Sequence, residues 1–276
     1  MHPANVIKFY YLNVVVEKPF AGSKYECDDL IRIAKEKNVT LAVFQQSLFS
    51  PSFVNAKKIM KSGVLGEIHQ ISINFSGFSR RWDWQTAQKE LAGNIYNTGP
   101  HPIGYALSFL DFDPEFKVVF SKLGCSEMTS GDSDDYAKIL LTAPGKPIVD
   151  IEVHSNDAYK GPVIKFIGSK GTFISSHSDY EMKYIVDGEN PKRELIFESL
   201  KDKDGYPIYC SEELKTHEEK GEIVGTSFDV GTRCFYEMMY NTIANGAELI
   251  IKPEYAAMVV SVIEQAHAAN PLPVLF

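Results

Sequence analysis

The stretch Asn13-Val14-Val15-Val16-Glu17-Lys18-Pro19-Phe20-Ala21 decides how the rest of the chain is read. Three consecutive valines suit a strand buried on both faces of a parallel sheet, and a proline, with no amide hydrogen to give the ladder, stops it. Glu17 and Lys18 then stand at a strand's carboxyl end, the edge at which open α/β sheets bind ligands. The plainer alternative is a solvated strand end carrying a loop ion pair.

Working outward, Ser23-Lys24-Tyr25-Glu26 has the spacing of a capping box, and Cys27, Leu30, Ile31 and Ala34 follow at helical intervals, which predicts a helix over 24–37. Residues 40–44 read as a second buried strand. Pro51, followed by Phe53, Ala56, Ile59 and Met60, opens a further helix that Gly63 stops. On the other side, residues 1–12 read as a helix with Val6, Ile7 and Tyr10 on one face. The order helix, strand, helix, strand, helix is half of a doubly wound α/β fold.

Beyond Gly66 the period changes to two. Ile71, Ile73 and Phe75 alternate with polar neighbours, as do Val149, Ile151 and Val153, so these strands bury one face each. Further strands are predicted at 117–123, 136–142, 163–167, 172–176, 182–186 and 194–197, mostly joined by short turns, which implies a large, mostly antiparallel sheet. Gly168-Ser169-Lys170-Gly171 reads as a hairpin turn rather than a phosphate cradle. Residues 199–225 are charged and read as an exposed insertion loop. Two helices close the chain, one ending at Asn245-Gly246 and one starting at Pro253.

The 276 residues are 44% hydrophobic and 23% charged, enough for two layered domains. A formal net charge of −8 and the lack of a basic cluster argue against a nucleic-acid partner. Cys27, Cys125, Cys210 and Cys234 are widely spaced, so no disulfide framework or metal site is expected, and reduced thiols point to the cytoplasm. No stretch has the length of a membrane span, and Lys8 and Asn13 interrupt the apolar N-terminal run, which excludes a signal peptide.

Asn97 and His101 flank Gly99-Pro100, a helix start. An imidazole there stays neutral, because the helix dipole disfavours a cation at an N-terminus, and a neutral imidazole can accept a proton. Hydride leaves a carbon easily only if the developing carbonyl loses its hydroxyl proton, so a base and a cation must converge on one oxygen. His101 and Lys18 are the candidates. Arg81, Trp82 and Trp84 offer either a stacking surface for a sugar or cofactor ring or a hydrophobic plug between domains. His69, His154, His177, His217 and His267 read as surface or strand histidines.

Together, Val-Glu-Lys-Pro-Phe-Ala at 16–21 and Asn97-Thr98-Gly99-Pro100-His101 resemble the Gfo/Idh/MocA family of nicotinamide-dependent sugar and polyol oxidoreductases, and the resemblance runs from Pro3 to Pro273. It implies an α/β (α+β) fold. Residues 1–66 would be the C-terminal half of a Rossmann-like nucleotide-binding domain, and 67–276 a substrate and oligomerisation domain with the large sheet. It further implies NAD or NADP as cofactor, a small carbohydrate substrate, and a homo-oligomer, dimer or tetramer, formed through the exposed sheet face. In residues, Lys18, His101 and Asn97 would be catalytic, Glu17, Lys18 and Pro19 would face the cofactor, and Arg81, Trp84 and Asn97 would face the substrate. The chain departs from the commonest pattern at Asn97 and Gly104, where aspartates often stand.

A dinucleotide site needs a glycine-rich turn between a strand and a helix, and no Gly-x-Gly occurs in the chain. The expectation is a truncated nucleotide fold that binds NAD(P) poorly. Three readings stay open: a polyol or sugar dehydrogenase with impaired turnover, a non-catalytic oligomerisation or regulatory homologue, and a sugar-binding module.

Overall fold

The computed structural model describes residues 11–276. The helix expected over 1–12 lies outside the described residues except for Tyr11 and Leu12, which lead into the first strand without regular structure.

The valine run forms β1 (Val14–Val16), parallel to β2 (Leu41–Val43) with Val14 opposite Leu41 and Val16 opposite Val43. β2 is buried throughout, whereas β1 is covered on one face only and Val15 is 40% exposed. The expectation of a strand buried on both faces is thereby corrected. Val14 and Val16 pack on the helix side, and no described element covers Val15.

Between the strands runs α1 (Lys24–Lys37), buried through Cys27, Leu30, Ile31, Ile33 and Ala34. Its Ser23 Oγ accepts from the Glu26 amide at 3.2 Å. The reciprocal half of the box is shifted by one residue, because the Glu26 carboxylate accepts from Gly22 N at 3.0 Å. After β2 the chain makes a 3-10 turn, Gln46–Phe49, and then α2 (Pro51–Ser62), ended by Gly63 in the left-handed region.

The remainder builds one eight-stranded sheet. Its strands are β3 (Ile68–Asn74), β4 (Lys117–Gly124), β5 (Tyr136–Thr142), β6 (Ile148–His154), β7 (Ile164–Gly168), β8 (Gly171–Ser175), β9 (Asp179–Tyr184) and β10 (His217–Glu222). The spatial order is β10-β9-β8-β7-β3-β6-β5-β4, and only the β3–β6 pair is parallel. Two segments differ from expectation. Residues 194–197 form no strand, and Leu195 and Phe197 are 75% and 87% exposed. Conversely, β10 lies inside the stretch read as loop. Its charges are matched across the pair to β9, through Lys183–Glu218 and Lys220–Glu181 at 2.8 Å each, and Tyr184 donates its hydroxyl to Glu219 at 2.7 Å.

One face of the sheet presents Ile71, Ile73, Ile139, Leu141, Val149, Ile151, Ile164 and Phe166 to the main core, which α4 (Pro100–Phe109) and α6 (Pro253–Ala269) complete. The opposite face is polar at its centre: Lys138 Nζ reaches Asp150 at 2.7 Å and Glu152 at 2.5 Å. The short α3 (Asn94–Asn97) precedes α4, and α5 (Thr232–Asn245) precedes α6. α6 belongs to two cores, through Val259, Val262, Ile263 and Ala266 in the main one and Ala256, Ala257 and Val260 in the one around α1. No helix among the described residues is long and apolar enough to cross a membrane.

Candidate active site

The carboxyl ends of β1 and β2 and the amino end of α4 meet at one place, and chain ends without internal partners put their polar groups there. Lys18 follows β1 directly, with a cis peptide to Pro19. Its ammonium donates to the Asn97 carbonyl at 2.6 Å and, more weakly, lies 3.4 Å from Asn97 Oδ1. Asn97 is the last residue of α3, so its carbonyl has no helical partner and is free to receive a cation. The contact with Lys18 is therefore made chiefly by the Asn97 backbone.

His101 begins α4 one residue after Pro100. Gly99 makes the tight step between α3 and α4: a Cβ at Gly99 would sit 2.2 Å from the Ile95 carbonyl oxygen. The His101 ring lies against Phe75, centroids 6.5 Å apart, and its Nδ1 is 3.0 Å from the buried Ser47 Oγ in the 3-10 turn after β2. Burial, and then the charge of Lys18, lower the imidazole to a pKa of about 4. Burial also lowers Lys18, against the pull of Glu17 and together with the repulsion of Arg81. Lys18 and His101 thus feel each other, and His101 is neutral at pH 7. If Nδ1–H donates to Ser47, Nε2 keeps its lone pair for a proton.

The other sequence candidates are placed as follows. The Glu17 carboxylate folds back onto the Lys18 amide at 3.3 Å. Arg81 is bound to Asp83 at 2.9 Å and to Gln85 Oε1 at 2.5 Å, and adds positive potential beside Lys18. Trp82 and Trp84 are 77% and 66% exposed, which rules out an internal plug, and among the described residues neither indole makes a ring contact. His177 is exposed, as expected, and sets its ring edge-on to Phe75 at 6.0 Å. His267 is neither on a strand nor at the surface. It is in α6, stacked on Tyr96 at 5.1 Å.

Sequence reasoning missed Ser47 and Phe75. Ser47 was within reach of the same rule that singled out Lys18, since it follows the carboxyl end of the second parallel strand. Phe75 was read only as a strand residue.

A family model for the GFO/IDH/MocA C-terminal domain matches residues 53–174. An uncharacterized oxidoreductase of Schizosaccharomyces pombe is 24% identical over 275 residues, 94% of this chain and 73% of the relative. These likenesses support a Gfo/Idh/MocA-type oxidoreductase. The scyllo-inositol 2-dehydrogenase (NADP(+)) IolW of Bacillus subtilis is 22% identical, covering 92% of this chain and 69% of the relative. The crystal structure of a probable oxidoreductase, YhhX, shares the fold with a TM-score of 0.74 at 20% identity, covering 100% of this chain and 79% of that one. Against another curated relative from S. pombe the chain spans 50% of the length.

The nicotinamide cofactor that the family implies fits these residues only in part. Lys18 at the β1 end suits a nicotinamide ribose. A pyrophosphate needs free amides at a helix N-terminus, but at α1 Gly22 N is taken by Glu26 and Lys24 N by Glu264 at 2.8 Å.

Proposed function

We propose that Lys18, Asn97 and His101 form the substrate half of an oxidoreductase site that handles a hydroxyl-bearing carbon of a sugar or polyol. The observation that carries this reading is the Lys18 ammonium held on Asn97 with the Ser47-anchored His101 one helical turn further on. In this arrangement the substrate hydroxyl lies between Lys18 Nζ and His101 Nε2. The imidazole accepts its proton while the ammonium stabilises the negative charge that grows on the oxygen. The developing oxyanion offsets the Lys18 charge, one of the two causes that hold the imidazole basicity down, so His101 becomes a stronger base as the reaction proceeds. Ser47 keeps the ring oriented. Arg81 and the exposed Trp84 frame the outer part of the sugar.

NAD or NADP is the electron acceptor consistent with a relative named for NADP(+). Four free thiols at Cys27, Cys125, Cys210 and Cys234 suit a reducing compartment such as the cytoplasm. The occupied α1 terminus favours a second reading, sugar binding without turnover. The test is a panel of inositols, hexoses and sugar acids, assayed by calorimetry for binding and by NAD(P)H absorbance for turnover. Binding that Lys18→Met and His101→Gln abolish supports the site in both readings, and turnover selects the first. No binding of any member rejects it.

A further inference from the structure

The segment Gly131-Asp132-Ser133-Asp134-Asp135 is buried from Asp132 to Asp135, and each carboxylate has its own task. Asp132 accepts from the amides of Gln88 at 2.8 Å and Leu275 at 2.7 Å. Asp135 accepts from Ser126 N at 3.0 Å and Ser126 Oγ at 2.7 Å. Asp134 holds the first turn of α3: its Oδ2 accepts from Ile95 N and its backbone carbonyl from Asn94 N, both at 2.8 Å. The other oxygen, Oδ1, has no hydrogen-bond partner among the described residues. It faces Gly93, which has φ 103 and at which a Cβ would sit 2.3 Å away, and His267 Nε2, which is 3.9 Å away and also buried without a partner.

Two unpartnered polar atoms side by side in the interior are costly, and the gap exceeds a hydrogen bond by roughly 1 Å. The pair is thus one small movement from closure. The element it holds ends on Asn97, whose carbonyl receives Lys18. We propose that Asp134 is a positioning residue that acts through the first turn of α3 to set the Asn97 carbonyl under Lys18, with His267 as the group with which it shares a proton. The meaning of this for catalysis rests on the reading of Lys18 given above.

Burial pushes the Asp134 carboxyl up to about 7, with Asp135 adding in the same direction, and burial lowers His267. The groups facing Asp134 are Asp132 and Asp135 from its own loop, Cys125 just past β4, Tyr96 on α3 and His267 on α6. Below neutrality the protonated carboxyl can donate to His267 Nε2. Above it, the carboxylate can accept from Nε2–H. In either state a closure of roughly 1 Å would tie the α3 turn to α6.

The experiment is competitive acetylation of Lys18 with acetic anhydride in the full chain between pH 6 and 11, read by mass spectrometry, together with the Asn97 amide shift by NMR. No substrate is needed, so the outcome is independent of whether the oxidoreductase reading holds. Asp134→Asn and His267→Gln are expected to lower the Lys18 midpoint by about half a pH unit, a roughly threefold change in labelling rate below the midpoint, and to move the Asn97 amide. A purely structural role lowers the melting temperature while leaving both readouts unchanged, and that result overturns the proposal. Should Asp134→Asn fail to fold, His267→Gln decides alone.

Discussion

The Lys18 ammonium sits 2.6 Å from the backbone carbonyl of Asn97, closer than to the side-chain oxygen of the same residue at 3.4 Å. Substituting the side chain therefore leaves the principal contact in place. Asn97→Ala is expected to reduce kcat/KM by less than about tenfold, whereas Lys18→Met removes a charge-assisted interaction of about 1.5–3 kcal/mol and lowers it by roughly 10- to 100-fold or more. Steady-state kinetics on whichever polyol the panel identifies checks both. Equal losses in the two variants would show that the amide, not the carbonyl, is the working group.

Ser47 is buried and, among the described residues, makes the polar contact that orients the His101 ring. Ser47→Ala leaves Nδ1 without a partner and the ring free to turn. The expected result is a kcat about tenfold lower with KM little changed, since orientation is lost rather than binding surface. A rise in KM at constant kcat would place Ser47 in substrate binding.

His101 has a pKa of about 4 in the folded chain against 6.5 for a free imidazole. Between those values the unfolded chain binds more protons than the native one, so stability falls as pH drops from about 6.5 to about 4 and is unaffected by this group above that window. His101→Gln is expected to remove up to about one proton from the slope of unfolding free energy against pH in that range. Urea unfolding at pH 4.5, 5.5 and 7 measures it. An unchanged slope would mean the ring is well solvated.

Affinity for the dinucleotide is expected to be poor. Two or three missing charge-assisted hydrogen bonds at the pyrophosphate cost on the order of 4–8 kcal/mol, against about 8 kcal/mol for a micromolar site. Fluorescence titration with NADH and NADPH should give a Kd in the millimolar range or weaker. Low-micromolar binding would mean that a segment other than the α1 terminus holds the phosphates.

Association through the open face of the large sheet is expected to give a dimer or tetramer. Lys138, Asp150 and Glu152 at the centre of that face already satisfy one another, so the contact should be polar and salt-sensitive. Sedimentation at micromolar concentration in low and high salt tests this, and a monomer in both rejects it.

Legibility followed the range of the interaction. Local signals worked: Pro51 and Gly63 bound α2, and β5 matched its predicted limits of 136–142. Lys18 and His101 were legible because each is marked by a neighbouring proline. What failed was set by distant partners. β10 exists because its charges meet opposite charges on β9, while 194–197 has strand-like residues and no strand beside it. Ser47 meets His101 across 54 positions and Asp134 meets Ile95 across 39, and no pattern in one sequence reports such pairs.

Many two-layer enzymes close on substrate by hinging one unit over the other, but here α6 is packed into both cores at once. A hinge would have to split that helix's own burial, with Val260 on one side and Val259 and Ile263 on the other. The site between Lys18 and His101 is therefore expected to move little when a ligand enters. The two cores are expected to melt together in a single cooperative transition.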